Sequence, residues 1–179
     1  MRINKLYIIS LTLALSACSQ GNGNMALAVG SPDVDYTQDV AKYGLLGPVH
    51  TVCNGDGVLW LCFSKDGVVD DNDDPVTSFE GRVRCDIGYS GYSECEFDEL
   101  GRRVREYAAW GYLGIYSYEG KQYFPSHKHE EICEDVEIAP VEVIDIDYKY
   151  KPEDFDFHGN WLVRTANGTE ERRFITYYD

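Results

Sequence analysis

The sequence predicts an all-β fold in which antiparallel hairpins stack into one twisted sheet or a thin sandwich, with one short N-terminal helix. Three observations carry this prediction. The 179 residues include 14 Tyr and 17 Gly, a composition that favours strands and turns. Residues 141–150 alternate apolar and polar side chains, as a strand with one buried face does. Asn167-Gly168 is typical of a tight hairpin turn, because both central residues need a positive φ.

The remaining elements follow from local patterns. Residues 36–43 form a short helical pattern that ends at Gly44, and we expect this helix to cover one edge of the sheet. Residues 49–53 and 58–64 flank a polar, glycine-containing turn and predict a hairpin. Closing the last hairpin on Asn167-Gly168 predicts three cross-strand pairs: Ala166 with Thr169, Arg164 with Glu171, and Trp161 with Phe174.

A turn pattern recurs along the chain. An aromatic residue ends a strand, three mostly polar residues turn, a glycine supplies a positive φ, and an apolar residue begins the return strand. The copies are residues 63–69, 97–104 and 155–162.

The sequence FDELGRRV at 97–104 resembles the Tyr-Asp-x-x-Gly-Arg-x-Val core of the YD-repeat or RHS-like family. FDFHGNWL at 155–162 is similar to the family's Gly-Asn variant. The resemblance spans residues 44–69, 95–124 and 147–179 and implies antiparallel strand pairs that stack into a curved sheet. Large family members form shells around toxin cargo. This chain has too few repeats for that role and is more similar to small repeat-bearing lipoproteins of Gram-negative envelopes, whose function is generally unassigned.

The N-terminus predicts export and lipid anchoring. Arg2 and Lys5 precede an apolar run at 6–15 that is too short to span a bilayer. The sequence Leu-Ser-Ala-Cys that ends at Cys18 resembles the lipobox of bacterial lipoproteins. We therefore expect residues 1–17 to be a signal peptide, Cys18 to carry lipid that binds the membrane, residues 18–33 to be a flexible tether, and residues 34–179 to form one domain. Ser19 in place of Asp favours the outer membrane, facing the periplasm or the surface.

Charge argues against a nucleic-acid partner. The chain has 16 Lys and Arg against 31 Asp and Glu, a net charge of −15. Removal of Arg2 and Lys5 with the signal brings the net charge to −17. Such a surface repels phosphate backbones.

Five cysteines follow Cys18, and an exported protein can form disulfides. Cys85 and Cys95 flank a predicted hairpin tip. A three-residue loop centred on Ser90 places Cys85 opposite Cys95 and predicts a disulfide, whereas a two-residue turn at Ser90-Gly91 places Cys85 opposite Glu96. The cysteines lack the spacing of a zinc knuckle.

Two segments carry candidate metal ligands. If residues 127–131 form a strand, His127, His129 and Glu131 share one face, and two imidazoles with a carboxylate can hold zinc. The alternative is a solvated loop. The acidic run at 70–74 lacks the Gly and Glu that a helix-flanked calcium loop requires.

The aromatic segment offers a candidate binding site. Trp110, Tyr112, Tyr116 and Tyr118 lie close together in sequence and either bind a sugar or peptide or form the core of a tyrosine-rich sheet. No nucleophile elbow and no cofactor motif is present. We therefore expect a non-catalytic envelope module that binds a protein or a glycan. The alternatives are a metal-dependent hydrolase using the His127 region and an immunity-type inhibitor of a toxin, for which an acidic surface suits a basic partner.

Overall fold

The computed structural model describes residues 34–70, 76–88, 91–133 and 140–179. Within them, one α-helix precedes eleven strands that form a single open antiparallel sheet. The all-β prediction is confirmed, and the hairpins form one sheet and no sandwich. The elements are α1 (Asp39–Lys42), β1 (Val49–Asn54), β2 (Leu59–Cys62), β3 (Val76–Glu80), β4 (Val83–Gly88), β5 (Gly91–Phe97), β6 (Arg103–Ala108), β7 (Tyr112–Ser117), β8 (His127–Ile132), β9 (Glu142–Lys149), a 3₁₀ turn (Pro152–Asp154), β10 (Val163–Ala166) and β11 (Thr169–Tyr177).

Several predictions concern residues outside these ranges. The signal peptide (1–17), the lipidation site Cys18, the tether (18–33) and most of the acidic run at 70–74 lie outside the described residues. Among the described residues, no helix combines the length and the apolar character needed to cross a membrane.

Strand order follows the sequence with one exception. Strands β3 to β11 form a continuous meander, and the β1–β2 hairpin adds to the far side through the pairing of β1 with β11. As a result β2 and β3, which are consecutive in sequence, form the two edges of the sheet.

The connection between these edges requires a curved sheet. Eleven strands laid flat place the edges about 48 Å apart, at about 4.8 Å per strand. Asp70 is still hydrogen-bonded to Cys62 at the end of β2, and β3 begins at Val76. Six residues span at most about 20 Å. The sheet must therefore curl until its two ends approach each other.

Helix α1 lies between the two ends of the curled sheet. The Val40 amide donates to the Gly67 carbonyl after β2 at 3.2 Å. On the other side Asp39 pairs with Arg84 of β4, and Lys42 pairs with Asp86 of the same strand. The predicted N-terminal helix is confirmed at 39–42, and its contacts reach both ends of the sheet.

Two apolar clusters form the core. The first joins α1 to the β1–β2 hairpin, and the second lies beneath the turn after β7 and the segment before β10. The buried members are Val40, Leu45, Val49, Val52, Leu61 and Phe63 in the first cluster, and Tyr123, Phe124 and Trp161 in the second.

The last hairpin confirms its predicted register. Asn167 and Gly168 have φ values of 47° and 85°, and Ala166 pairs with Thr169. Arg164 also pairs with Glu171, as predicted.

The predicted pairing of Trp161 with Phe174 is wrong. Strand β10 begins only at Val163, and Trp161 forms an isolated bridge with Phe155. Trp161 is buried, whereas the side chain of Phe174 is exposed. Packing of the indole in the second core cluster overrides the simple extension of the hairpin.

The recurrent turns share one hydrogen-bond arrangement. In the turn between β5 and β6, the Gly101 amide donates to the Asp98 carbonyl, and the Leu100 and Arg102 amides donate to Asp98 Oδ1 at 2.9 and 3.0 Å. The same arrangement recurs around Asp156 and Gly159. An acidic side chain thus satisfies the backbone donors that the turn leaves free.

The predicted Cys85–Cys95 disulfide does not form. The β4–β5 register places Cys85 opposite Glu94 and Cys95 opposite Arg84. The closing pair is Gly88 and Gly91, so the turn contains two residues. The two cysteines therefore face opposite sides of the sheet, and both thiols are free.

Candidate functional site

The concave face of the curved sheet encloses a cleft of about 790 Å³. Its walls come from β6 to β11, the turn between β1 and β2, and the residues after α1. Inward-facing positions on neighbouring strands converge there because side chains alternate between the two faces of each strand. The volume lies within the range of ligand-binding clefts, roughly 300–1,000 Å³.

The chemical character of the lining is unusual. Among the described residues, no Val, Leu, Ile, Met or Ala lines the cleft. The walls consist of rings, charged groups, one amide, glycines and one proline. The aromatic members are Tyr43, Trp60, Tyr116, Tyr118, Tyr123, Phe124, Tyr148 and Trp161.

Cations lie over several of these rings. The Arg103 guanidinium is 4.5 Å from the Tyr116 ring centre, and the Lys128 ammonium is 5.3 Å from the same ring. The Arg164 guanidinium is 4.1 Å from the Tyr148 ring centre. Each contact lies within the distance at which a ring face attracts a cation.

The pattern continues across the last two strands. Arg164 and Arg173 both lie over the indole of Trp161, at 4.3 and 3.8 Å from its centre. We call the whole row the cation–aromatic ladder. Its members are Arg103, Tyr116, Lys128, Tyr148, Arg164, Trp161 and Arg173.

Basic residues outnumber acidic residues in the lining of the cleft, whereas the reverse holds for the chain. The chain has a net charge of −15, whereas the cleft lining has six basic and four acidic residues. The basic residues are Arg102, Arg103, Lys128, Arg164, Arg172 and Arg173, and the acidic residues are Asp56, Glu106, Glu170 and Glu171. The lining therefore has two more basic than acidic residues, and Asp98 and Glu130, which lie outside it, pair with Arg102 and Lys128.

Most of these cations have a carboxylate partner. Arg103 pairs with Glu106 at 3.1 Å, and Arg172 pairs with Glu170 at 2.7 Å. The further pairs are Arg102 with Asp98, Lys128 with Glu130, and Arg164 with Glu171. Although burial disfavours the Lys128 cation, hydrogen bonds to Glu130 and Tyr112 raise the pKa of Lys128.

Arg173 is the exception. It is 6% exposed, its Nε donates to the Trp161 carbonyl at 2.6 Å, and its Nη2 has no hydrogen-bond partner among the described residues. It forms no ion pair with any of these residues. Burial, and then the positive charge of Arg164, lower the pKa of Arg173 to about 9. Arg173 is thus a buried cation in the wall of the cleft that has no ion-pair partner among the described residues, although the Asp156 carboxylate acts on it through space.

Tyr123 is a second unpartnered group. It is buried, it lines the cleft, and its hydroxyl has no hydrogen-bond partner among the described residues. Burial raises the pKa of Tyr123 to about 12, so the hydroxyl remains a neutral donor at physiological pH. A buried hydroxyl without a partner carries a cost of desolvation.

The predicted aromatic site is divided by the structure. Tyr116 and Tyr118 line the cleft. Trp110 and Tyr112 do not, and instead stack on each other with ring centres 5.3 Å apart. Tyr112 shares the face of Tyr116 on β7, and its ring lies 5.6 Å from the Lys128 ammonium. Tyr112 and the Trp110 ring that stacks on it therefore lie beside the cleft and outside its lining.

Sequence reasoning missed the cations of the cleft and the rings beyond β7. Arg164 and Tyr148 belong to different hairpins, and only the register between β9 and β10 brings them together. The sequence does contain a pattern that could have indicated the cleft: basic and aromatic residues occupy alternate strand positions, which point to the same face of the sheet. Tyr116 is paired with Lys128 across β7 and β8, and Arg164 follows in β10.

The histidine pair lies on a different surface. His127, His129 and Glu131 share one face of β8, as predicted for a strand, and that face carries Asp145 and Asp147 of β9. His129 Nδ1 is 2.7 Å from Asp145, and His129 Nε2 is 3.2 Å from Glu131. Hydrogen bonds to these carboxylates raise the pKa of His129. None of the three residues lines the cleft, and no metal-holding group is found among the described residues.

Comparison of the chain with protein-family models, with curated proteins and with solved structures gives no significant match.

Proposed function

We propose that this protein is a non-catalytic module that binds a glycan in its concave cleft and that is held at the bacterial envelope by lipid on Cys18. The observation that carries the proposal is the lining of the cleft, which combines aromatic rings with charged groups and one amide and has no Val, Leu, Ile, Met or Ala among the described residues. The proposal therefore rests on the chemistry of the site and not on similarity to known proteins.

This lining suits sugars better than other ligands. Sugar rings have apolar faces that stack on aromatic side chains and hydroxyl edges that need hydrogen-bond partners. A lipid or an apolar peptide segment favours aliphatic surface, which the described lining lacks. Trp60 is 62% exposed and has an edge contact with Tyr43, and its exposed ring offers a surface on which a sugar can stack.

The carboxylates favour binding over catalysis. Glycoside cleavage needs a pair of free carboxyl groups, one acid and one base or nucleophile. In the cleft, Glu106, Glu170 and Glu171 are each paired with an arginine. Asp56 has no ion pair among the described residues, so the described lining offers one free carboxyl group and no free pair. The hydrolase alternative depends on the histidines of β8, which lie outside the cleft. That alternative and the toxin inhibitor remain predictions from sequence.

Two exposed tryptophans allow a matched test. Trp60 lines the cleft and Trp110 does not, while their exposed fractions are 62% and 61%. We expect the detergent-solubilised full chain to bind at least one probe from a panel of neutral and uronic-acid tetrasaccharides in titration calorimetry. Trp60→Ala should weaken that binding about tenfold, equivalent to about 1.4 kcal/mol.

Trp110→Ala is the control, and we expect its affinity to stay within twofold of the unsubstituted protein. The proposal is overturned if no tetrasaccharide binds at millimolar concentration. It is also overturned if loss of Trp110 weakens binding as much as loss of Trp60.

A further inference from the structure

We propose that the glycan bound in the cleft is anionic, a sugar bearing a carboxylate or a sulfate, and that Arg173 supplies the charge that selects it. This inference rests on the proposed function and adds the chemical class of the ligand. It is carried by Arg173, a buried cation in the wall of the cleft with no ion-pair partner among the described residues, and by the basic residues around it in the lining.

The sign of the charge concentrates attraction at the cleft. An acidic chain repels anions over most of its surface, whereas the lining has six basic residues against four acidic ones. The basic residues of the lining therefore favour an anionic ligand in the cleft. A cleft with low-dielectric walls strengthens this attraction.

Arg173 is the basic residue of the lining that most favours an anion. Every other basic residue of the lining has a carboxylate within 4.0 Å among the described residues, whereas Arg173 has none. A buried cation is costly to leave without a counter-charge. An incoming carboxylate or sulfate supplies the missing negative charge.

Arg164 reinforces the same point. The guanidinium groups of Arg164 and Arg173 both lie over the Trp161 indole, so two positive groups lie close together. Glu171 pairs with Arg164. The Glu171 carboxylate satisfies Arg164 and leaves the repulsion toward Arg173 in place. An anion above the ladder relieves this repulsion.

The interaction does not require direct contact with the covered Nη2. Charges interact through space, and the interaction weakens slowly with distance where water is excluded. Arg173 therefore favours an anion in the cleft even while its own surface is 6% exposed.

The test compares probes with the same rings and different charge. The detergent-solubilised full chain is titrated with tetragalacturonic acid, with its fully methyl-esterified form, and with a sulfated tetrasaccharide. We expect the acid or the sulfated probe to bind at least tenfold more tightly than the neutral ester, with an affinity that falls as salt is added.

Two substitutions at Arg173 then separate charge from packing. Arg173→Gln removes the charge and should reduce the preference for the acidic probe over the ester to less than threefold. Arg173→Lys keeps the charge and should retain most of the preference. Arg105→Gln is the matched control, because Arg105 pairs with Glu94 outside the cleft, and its preference should match that of the unsubstituted protein.

The outcomes separate this inference from the proposed function. If the ester binds as tightly as the acid, the glycan site stands and the anionic preference is refuted. If no sugar binds, the proposed function fails and this inference fails with it. If Arg173→Gln does not fold, the acid-to-ester comparison on the unsubstituted protein decides the charge of the ligand. Arg164→Gln then tests the ladder, and an unchanged preference in that variant contradicts it.

Discussion

Asn160 shows how one polar side chain fixes the segment that closes the sheet. It is fully buried, its Oδ1 accepts from the Leu46 amide at 2.8 Å, and its Nδ2 donates to the Leu46 carbonyl at 2.7 Å and to the Tyr177 hydroxyl at 2.8 Å. The Asn160 side chain therefore makes, with the backbone of Leu46 in the segment after α1, the two hydrogen bonds that a neighbouring strand would make. Asn160 follows the turn glycine Gly159, whereas Val68 and Arg102 follow the glycines of the other two copies.

Replacement of Asn160 tests this role. Asn160→Leu keeps the volume and leaves the backbone groups of Leu46 unsatisfied, which should lower the free energy of unfolding by about 3 kcal/mol. Urea denaturation measures the change. Glu153→Gln, an exposed neighbour, should change it by less than about 0.5 kcal/mol. An equal loss in the two variants would contradict the role of the buried amide.

Asp86 makes the stability of the fold depend on pH. Burial disfavours its carboxylate, but hydrogen bonds and charges from Lys42 and Arg84 outweigh this effect and lower the pKa of Asp86. A carboxyl with a lowered folded-state pKa stabilises the protein above its unfolded-state pKa of about 3.9, and the contribution is lost as the pH falls through the folded-state value.

Asp86→Asn should therefore destabilise the protein strongly at neutral pH, by about 3–5 kcal/mol for one partner of a buried charge pair. The difference between the two proteins should begin to shrink at about pH 4, where the unfolded-state carboxyl gains its proton, and should be lost as the pH falls through the lower folded-state pKa of Asp86. Urea midpoints over this range measure it. A difference that stays constant with pH would show that the charge of Asp86 contributes nothing.

At the scale of elements, the turns were more predictable than the contacts between distant strands. The positive φ of Asn167 and Gly168 is a local requirement of the turn, and the Asn-Gly pair in the sequence indicates it without information from distant strands. The Cys85–Cys95 pairing failed because a one-residue change in the turn reverses the face of every side chain that follows. The pairing of Trp161 with Phe174 failed because tertiary packing ended the strand early.

Of the residues that line the cleft, sequence analysis identified those that lie close together in one segment and missed those that distant strands contribute. Tyr116 and Tyr118 lie in one segment that the composition singles out, whereas Arg173 and Lys128 reach the cleft only through the order of the strands. The pairing of β1 with β11 joins residues more than one hundred positions apart, and no local pattern specifies it.

Two turn glycines allow a test of close backbone approach. Gly111 has a φ of +92°, and an added Cβ lies 2.1 Å from the Cys133 carbonyl oxygen. Gly120 has a φ of +55° with nothing within 4 Å. Gly120→Ala should cost about 1–2 kcal/mol from backbone conformation alone. Gly111→Ala should cost at least about 2 kcal/mol more, because backbone must move.

Thermal or urea unfolding of the two variants gives the comparison. Equal losses would contradict the close approach of the Gly111 turn to Cys133.

At the scale of the whole molecule, the curvature of the sheet brings basic residues from several strands into one cleft. A single sheet that curls on itself has one concave face, and six basic residues line its cleft while the chain as a whole is acidic. The same acidity keeps the body away from anionic lipid headgroups. Such a protein would need a covalent lipid to remain at a membrane, which is the role we propose for Cys18.

Lipid anchoring is tested by substitution of the thiol. Each buried acyl methylene contributes about 0.8 kcal/mol, so two or three chains hold the protein at the membrane almost permanently. Cys18→Ala should move the protein from the membrane fraction to the soluble fraction and abolish labelling by a fatty-acid analogue. Cys62→Ala is the control and should remain membrane-bound. Retention of Cys18→Ala in the membrane would refute lipid anchoring.

The central claim, that the concave face binds the ligand, is tested most directly by the indole N–H signals in a proton–nitrogen correlation spectrum. The chain has three tryptophans, of which Trp60 and Trp161 line the cleft and Trp110 does not. On titration with a tetrasaccharide that binds, we predict that the Trp60 and Trp161 signals shift with the same dissociation constant while the Trp110 signal stays fixed. A shift confined to Trp110, or none at saturation, would contradict the account.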